Sequence, residues 1–326
     1  MTGTQLRIGV VGAGHFGRFH ALKVAASPRA RLTGLYDIDA DRAALVGREA
    51  GGAPALALEA LFAASDAVII AAPAEAHFGL ATQALEAGRH VLIEKPIAAT
   101  LAQADSLAAL ATQRRLVLQV GHLLRFSAEH RAISSRITRP LYIEATRIAP
   151  YKPRGTDVSV ILDLMIHDLD LVLALVDSEI ESVDALGAAV SSTTEDIANA
   201  RVRFANGCVA AITASRISIK TDRRMRLFSQ EGYLSADFGA RKLVMIGRER
   251  GLPLPGTGGF RREEISWKDH DAMEAEHAGF VAACLDGAPV LVDAAAGRRA
   301  LAAAIAVGES MAQSAALVRA SGLVQD

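Results

Sequence analysis

Cysteine is scarce in this chain: two residues, Cys208 and Cys284, stand far apart in apolar surroundings. No disulfide framework and no paired-cysteine metal spacing can be written from them, so both are expected to be small buried hydrophobes. An excess of one charge is missing too, with 35 Lys and Arg against 36 Asp and Glu and a net charge of −1. That balance supplies no basic patch, which argues against nucleic acid or a membrane surface as a partner. Continuous apolar runs approaching the roughly 20 residues of a membrane span are not seen. A basic segment leading into a long apolar one is lacking at the start, so no secretory signal is expected. Internal repeats are absent as well. Together these gaps leave a reduced, cytoplasmic enzyme as the expectation.

What is present is 326 residues, 51% of them hydrophobic, which suffices for two domains with cores of their own. The first third alternates short apolar runs with amphipathic stretches. Strands are expected at 6–11, 31–36, 67–71, 90–93 and 116–120, with helices at 15–26, 40–50, 75–86 and 100–114. Such alternation specifies parallel βαβ units covered by helices on both faces. Beyond Gly121 the pattern changes. A strand at 141–148 and a very apolar buried helix at 160–176 precede strands at 180–188, 198–204, 208–217, 225–228, 231–238 and 242–246. Asn206-Gly207 reads as a hairpin turn. The segment 251–259 reads as a surface loop, and 272–285 and 294–315 as helices. The expected fold class is α/β: a doubly wound parallel sheet over 1–121, then an α+β domain over 122–326 with a mostly antiparallel open sheet. The helices of about 272–320 are expected to pack back toward the first domain.

Gly12-Ala13-Gly14-His15-Phe16-Gly17 is a GxGxxG that follows a strand and opens a helix. The glycines serve a tight turn, close approach to a pyrophosphate and close helix–strand packing, and the helix N-terminus faces the phosphates. The second strand ends at Tyr36-Asp37. An acid there accepts bonds from the adenine ribose and repels a 2′-phosphate, so NAD is expected rather than NADP. Asp39 is the expected cap of the next helix.

Two further clusters carry chemistry. Glu94-Lys95-Pro96 follows a strand at the carboxyl edge of the expected sheet, where open α/β sheets bind ligands. A partly desolvated lysine there can polarise a substrate oxygen or exchange its proton. Inside the apolar helix, Asp163 and His167 stand at i and i+4 on one face, with Asp170 a turn further. A carboxylate beside an imidazole fixes its tautomer and raises its basicity, which suits a general base for alcohol oxidation. Acids and a histidine in so apolar a helix are costly without a purpose. No second His-rich motif accompanies them, and no metal is expected. Arg125, Arg147, Lys152, Arg154, Arg216 and Lys220 are cations that could meet a diphosphate.

With these residues in view, the chain resembles the Gfo/Idh/MocA oxidoreductases over nearly its whole length. The resemblance rests on GAGHFG at 12–17, Ala72-Pro73 with His77, EKP at 94–96, GHLLRF at 121–126 and the Asp163/His167/Asp170 pattern. It implies a nicotinamide-linked dehydrogenase acting on a sugar-type alcohol, and a homodimer or homotetramer built through the C-terminal sheet. It implies Lys95, Asp163 and His167 as catalytic residues. It also implies Ala72, Pro73, His77 and Glu94 as cofactor neighbours, beside Gly12, Gly14, His15, Phe16, Gly17 and Asp37. His122, Arg125, Arg147, Lys152 and Arg216 are then the expected substrate contacts. Where polyol-oxidising members carry glycines around the motif aspartate, this chain has Val160, Ile161 and Met165. The stretches DLMIHDLDL, DIANARVRFANGC and ITASRIS resemble a sugar-nucleotide branch that oxidises UDP-N-acetylglucosamine at C3 for lipid A. An inositol or hexose dehydrogenase, an NAD-dependent glycoside hydrolase and a non-catalytic dinucleotide-binding regulator remain alternatives.

Overall fold

The structure is a computed structural model that describes residues 4–55, 57–152 and 158–321. The chain begins with β1 (Leu6–Val11), α1 (His15–Ala26), β2 (Ala30–Tyr36), α2 (Ala40–Ala50), α3 (Leu58–Ala64) and β3 (Ala67–Ile70). It continues through α4 (Ala74–Glu86), β4 (His90–Glu94), α5 (Leu101–Arg114) and β5 (Leu118–Gly121). After a 3-10 turn (Leu123–Phe126) come α6 (Ala128–Ser134), β6 (Pro140–Ile148), a π-helical turn (Ile161–Met165) and α7 (Ile166–Val176). Strands β7 (Ile180–Ala188), β8 (Ile197–Phe204), β9 (Val209–Ser215), β10 (Asp222–Ser229) and β11 (Gly232–Asp237) follow. The chain ends with β12 (Lys242–Gly247), β13 (Leu252–Pro253), β14 (Arg261–Ser266), α8 (Ala272–Asp286) and α9 (Ala294–Ala320).

Two compact units share these elements. One holds Met1–Phe126 and Asp271–Leu301, the other Ser127–His270 and Ala302–Asp326. The sequence places the break after Gly121 and gives the C-terminal helices to one side; the units divide after Phe126 and part within α9.

The first unit is built on a five-stranded sheet in the order β2-β1-β3-β4-β5, every neighbouring pair parallel. Residues such as Val68, Ile69, Val91 and Leu92 are fully buried, as a parallel sheet covered on both faces requires. Leu6, Ile8, Val10, Leu35 and Ile69 form one core cluster with Ala21 and Val24 of α1, Val46 of α2, and Phe280 and Val281 of α8. Each such side chain adds about 1.5–3 kcal/mol by leaving water. Helix ends follow local chemistry. Asp39 caps α2 by accepting from Arg42 N, as expected, and Gly51 ends that helix in the left-handed region. Thr100 caps α5. Chain order reverses between β1 and β3, and that switch point at the carboxyl edge is where open α/β sheets hold ligands.

The second unit carries a nine-stranded sheet in the order β13-β14-β12-β11-β10-β6-β9-β8-β7. Only β6 and β9 pair in parallel; the other pairs are antiparallel. Along β8, Ala198, Ala200, Val202 and Phe204 are buried and alternate with outward Asn199, Arg201 and Arg203, so one face is core and the other open. Helix α7 packs against β6 and β9.

The structure differs from the sequence pattern in several places. Helices α3 and α6 and strands β13 and β14 were not expected; all are short, or too polar to stand out by periodicity. The expected continuous helix over 160–176 instead opens with a π turn. Helix α9 corrects the expectation that no stretch reaches membrane-spanning size. It has 27 residues, with a window of mean hydropathy 1.4, and is long and apolar enough by length and composition. Many alanines with Ile305, Val307 and Met311 between sparse charges raise its average without an unbroken apolar run. Ala300, Leu301, Ala303, Ala304 and Val307 of this helix are buried within the protein, and Arg298 pairs with Asp105.

Candidate active site

The glycine loop closes the carboxyl end of β1 as its residues demand. Gly12 has φ +94°, and a Cβ on it would sit 2.4 Å from the Ala71 carbonyl oxygen. A Cβ on Gly17 would fall 1.8 Å from the Gly12 oxygen, so only glycine lets α1 start this close to the strand. Gly14 is different: nothing lies within 4 Å of its virtual Cβ. It is also the N-cap of α1 and gives no side-chain cap to the first-turn amides. Open space beside an uncapped helix N-terminus is what a pyrophosphate fits. His15 and Phe16 are exposed on the first turn, and His15 stacks edge-on against Phe16 and Phe19.

Asp37 lies where the second strand hands over to its loop. Its Oδ2 accepts from Ala13 N at 2.6 Å and its Oδ1 from Asp39 N at 2.9 Å. The acid therefore ties the glycine loop to β2, and a carboxylate oxygen with one bond still has a lone pair for a ribose hydroxyl. Sequence spacing suggested the ribose contact but not the fastening to Ala13.

On the next strands, Ala72 and Pro73 follow β3, and Glu94, Lys95 and Pro96 follow β4. His77 binds the two turns together. Its Nδ1 is 2.7 Å from the Pro96 carbonyl and its Nε2 2.9 Å from the Ala72 carbonyl. Burial pushes its pKa down, against the upward pull of the two carbonyls. His77, expected beside the cofactor, is a buried brace between the Ala72 and Pro96 turns.

Glu94 is held in turn: its Oε1 accepts from His20 Nε2 at 2.9 Å, and its Oε2 from the Lys95 backbone N–H at 3.3 Å. Burial pushes the Glu94 carboxyl up, but the His20 bond and the nearby Lys95 charge outweigh it and hold the group below the usual carboxylate range. His20, at the buried face of α1, had no role in the sequence analysis. Its signal was a histidine on the apolar stripe of a dinucleotide helix.

In the second unit, Asp163 lies in the π turn and His167 in the first turn of α7, both half-buried, with Asp170 buried beyond them. The π turn is the local feature that periodicity missed, and such single-turn bulges concentrate at functional sites. Asp168 lies between them and has a different task. Its two oxygens take Nε and Nη2 of Arg147, both at 2.8 Å, in a buried bidentate pair.

That pair corrects the expectation for Arg147, whose charge is spent on Asp168. Arg216 is corrected likewise. Its Nε meets Asp196 Oδ1 at 2.8 Å, Nη1 the Val158 carbonyl at 2.7 Å, and Nη2 Thr194 Oγ1 at 2.7 Å. Asp196 also accepts from the backbone N–H groups of Val190, Ser191 and Ser192. Both arginines were chosen as cations in strands; burial, invisible to that choice, makes them scaffold. His122 is buried and Arg125 half-buried at the 3-10 turn, while Lys152 and Lys220 are exposed. Arg154 lies outside the described residues. Cys208 is buried and Cys284 half-buried; burial pushes their thiols up to about 11 and about 12, which makes them poor nucleophiles.

Comparison with known proteins agrees with this arrangement. Residues 6–122 match the model of the Gfo/Idh/MocA oxidoreductase family's NAD-binding Rossmann fold, and residues 129–235 match a C-terminal domain of the same family. A UDP-N-acetylglucosamine 3-dehydrogenase of Acidithiobacillus ferrooxidans is 43% identical over 307 residues, covering 93% of this chain and 96% of the relative. Its solved structure superposes with a TM-score of 0.89 at 42% identity, over 94% of this chain and 97% of that one. The scyllo-inositol 2-dehydrogenase (NAD(+)) of Bacillus subtilis is 28% identical over 70% of this chain and 72% of its own length. With its glycine loop, its EKP turn and its two-unit fold, the chain belongs to the Gfo/Idh/MocA family and is an NAD-binding oxidoreductase.

Proposed function

We propose that the chain oxidises the C3 hydroxyl of UDP-N-acetylglucosamine with NAD. The observation that carries this is the 43% identity, spread over 93% of the chain, with a dehydrogenase of that name. The apolar Val160, Ile161 and Met165 around Asp163 agree with it. The first unit is the NAD-binding domain and the second supplies the substrate side.

Gly12, Gly14 and Gly17 with the first turn of α1 hold the pyrophosphate, and Asp37 takes the adenine ribose. Ala72, Pro73 and Glu94 border the nicotinamide, with His77 bracing their turns. NAD, when bound, accepts the hydride from the alcohol carbon. The residues handle the proton: His167, oriented by Asp163, removes it from the hydroxyl, and Lys95 bonds the same oxygen; the two can exchange these roles. His122, Arg125 and Lys152 remain the substrate contacts, and Arg147 and Arg216 act behind them as scaffold. The open sheet face exposes Leu186 and Phe228, which suits association into a homodimer or homotetramer. The setting is the cytoplasm and the product a keto sugar nucleotide bound for lipid A.

A screen for NADH formation on UDP-sugars, inositols and hexoses tests the substrate. Turnover on UDP-N-acetylglucosamine well above that on any polyol is expected, and the reverse order would return the chain to the polyol dehydrogenases. Lys95→Ala and His167→Ala should each cut kcat by about 10²–10⁴-fold, the usual contribution of general acid–base catalysis. Near-normal kcat in both would remove them from the mechanism.

A further inference from the structure

Behind the EKP turn lies a buried polar cluster that the proposed reaction does not use. His20 and Glu276 are fully buried and His277 is 4% exposed, all in the core of the first unit. Beside the His20–Glu94 bond already described, His20 Nδ1 is 2.8 Å from His277 Nε2, and the two rings stack with an interplanar angle of 2°.

This geometry permits few proton arrangements. Glu94 is ionised, so Nε2 of His20 carries a proton and donates it. Nδ1 of His20 and Nε2 of His277 share one proton across their 2.8 Å contact. His277 is kept neutral, since burial and the neighbouring His20 push its pKa well below the usual imidazole range. The contacts therefore run from His277 through His20 to the carboxylate next to Lys95.

We propose that His20, held from behind by His277, is a positioning residue that keeps the Glu94 carboxylate charged and in place beside Lys95. The role rests on Lys95 acting in the proposed oxidation. Glu94 is the counter-charge of a partly desolvated ammonium, and an opposite charge nearby favours the charged form. Without the His20 donor, burial would return a proton to Glu94, and Lys95 would lose its proton at lower pH. The groups that act on Glu94 are His20 from α1, His77 from α4, Lys95 on its own turn and Glu276 from α8. Glu276 is neutral, because burial and the Glu94 charge raise its pKa well above the usual carboxylate range. It adds no second negative charge.

The same side chains suggest a metal site, since ligand atoms of His20, Glu276 and His277 lie within 4.8 Å of one another. The imidazole contact argues otherwise. Two nitrogens on one tetrahedral zinc, with bonds of about 2.0–2.1 Å, sit roughly 3.3 Å apart, whereas these touch directly at 2.8 Å.

The test reads Lys95 without needing a substrate. The rate at which an amine-selective acylating reagent labels Lys95, followed by peptide mass mapping across a pH series, gives the lysine's pKa in the full chain loaded with NAD. His20→Leu should lower that midpoint by about one pH unit or more, and lower kcat by about tenfold with little change in KM. His20→Gln, which keeps a donor facing Glu94, should restore most of both. Glu94→Gln, which preserves shape and cannot ionise, should reproduce the His20→Leu midpoint even if His20→Leu folds poorly. An unmoved midpoint in Glu94→Gln would overturn the proposal. So would one equivalent of zinc retained by tag-free protein and lost in His277→Leu. If the wild type turns over no sugar nucleotide, the proposed substrate fails, while the labelling midpoint still decides the role of His20.

Discussion

Each unit buries charge, and the two do it differently. In the second unit, Arg147 with Asp168 and Arg216 with Asp196 are closed pairs: the Arg147 fork meets Asp168 and the Arg216 Nε meets Asp196, all at 2.8 Å, and backbone amides also donate to Asp196. In the first unit, Glu94, His20, His277 and Glu276 form an open cluster. Neither oxygen of Glu276 and not Nδ1 of His277 has a hydrogen-bond partner among the described residues. Satisfied pairs fix a scaffold, whereas a buried polar group left unsatisfied costs stability and calls for a reason. The open cluster lies directly behind the EKP turn, and the closed pairs hold up the strands and loops around α7. Burial alone does not tell the two groups apart; their hydrogen-bond partners do.

The largest expected effect comes from breaking a closed pair. Asp168→Ala leaves Arg147 buried without its partner, and the cross-strand neighbour of Arg147 on β10 is another cation, Arg223. A loss of about 3–5 kcal/mol is expected in urea denaturation, as for other half-removed buried pairs. Replacing both members, Arg147→Met with Asp168→Leu, should recover most of it. A single-variant loss below about 1 kcal/mol would mean that the pair behaves as a surface contact.

The open cluster should respond with the opposite sign. The raised pKa of Glu276 means that the folded chain keeps a proton which the unfolded chain has lost. Its stability is then complete below the ordinary glutamate pKa of 4.5 and declines as pH rises toward the raised value, by up to about 1.4 kcal/mol per pH unit. Glu276→Gln removes that titration. Relative to the variant, the wild type should lose stability as pH rises above the ordinary glutamate value of 4.5. Equal pH dependence in the two proteins would show that Glu276 is ionised and partnered in the folded state.

Sequence pattern made the first unit readable and the second only partly so. Parallel strands buried on both faces read as unbroken apolar runs, and Gly12, Gly17 and Asp37 follow from backbone sterics and spacing alone. Lys95 was found by its place after a strand. His20 was missed because His277 lies 257 residues and Glu94 74 residues away in the chain, and Glu276 because the charge it faces, Glu94, stands on a distant strand; no local period contains such relations. Arg147 and Arg216 were misassigned for the converse reason: a strand shows which residues alternate, not which cation meets a buried acid. The π turn at 161–165 escaped because its sequence is as apolar as an ordinary helix. Short elements such as α6 and β14 carry too few residues for a period to register.

A second contrast lies two residues apart. Asp39 is exposed: its side chain caps α2 through Arg42 N and pairs with the Arg42 guanidinium at 3.1 Å. Asp37 is nearly buried and fastens the glycine loop through Ala13 N, with the same guanidinium 3.9 Å from its Oδ2. Asp39→Ala should therefore cost about 1 kcal/mol of stability, the usual worth of an N-cap, and leave the Kd for NAD unchanged. Asp37→Ala should weaken NAD by about tenfold or more and narrow its advantage over NADP, since the acid that repels a 2′-phosphate is gone. Isothermal titration of both variants with both cofactors, beside urea denaturation, reads the two effects separately. A shift in cofactor affinity from Asp39→Ala as large as that from Asp37→Ala would mean that the acids, joined through Arg42, act as one unit.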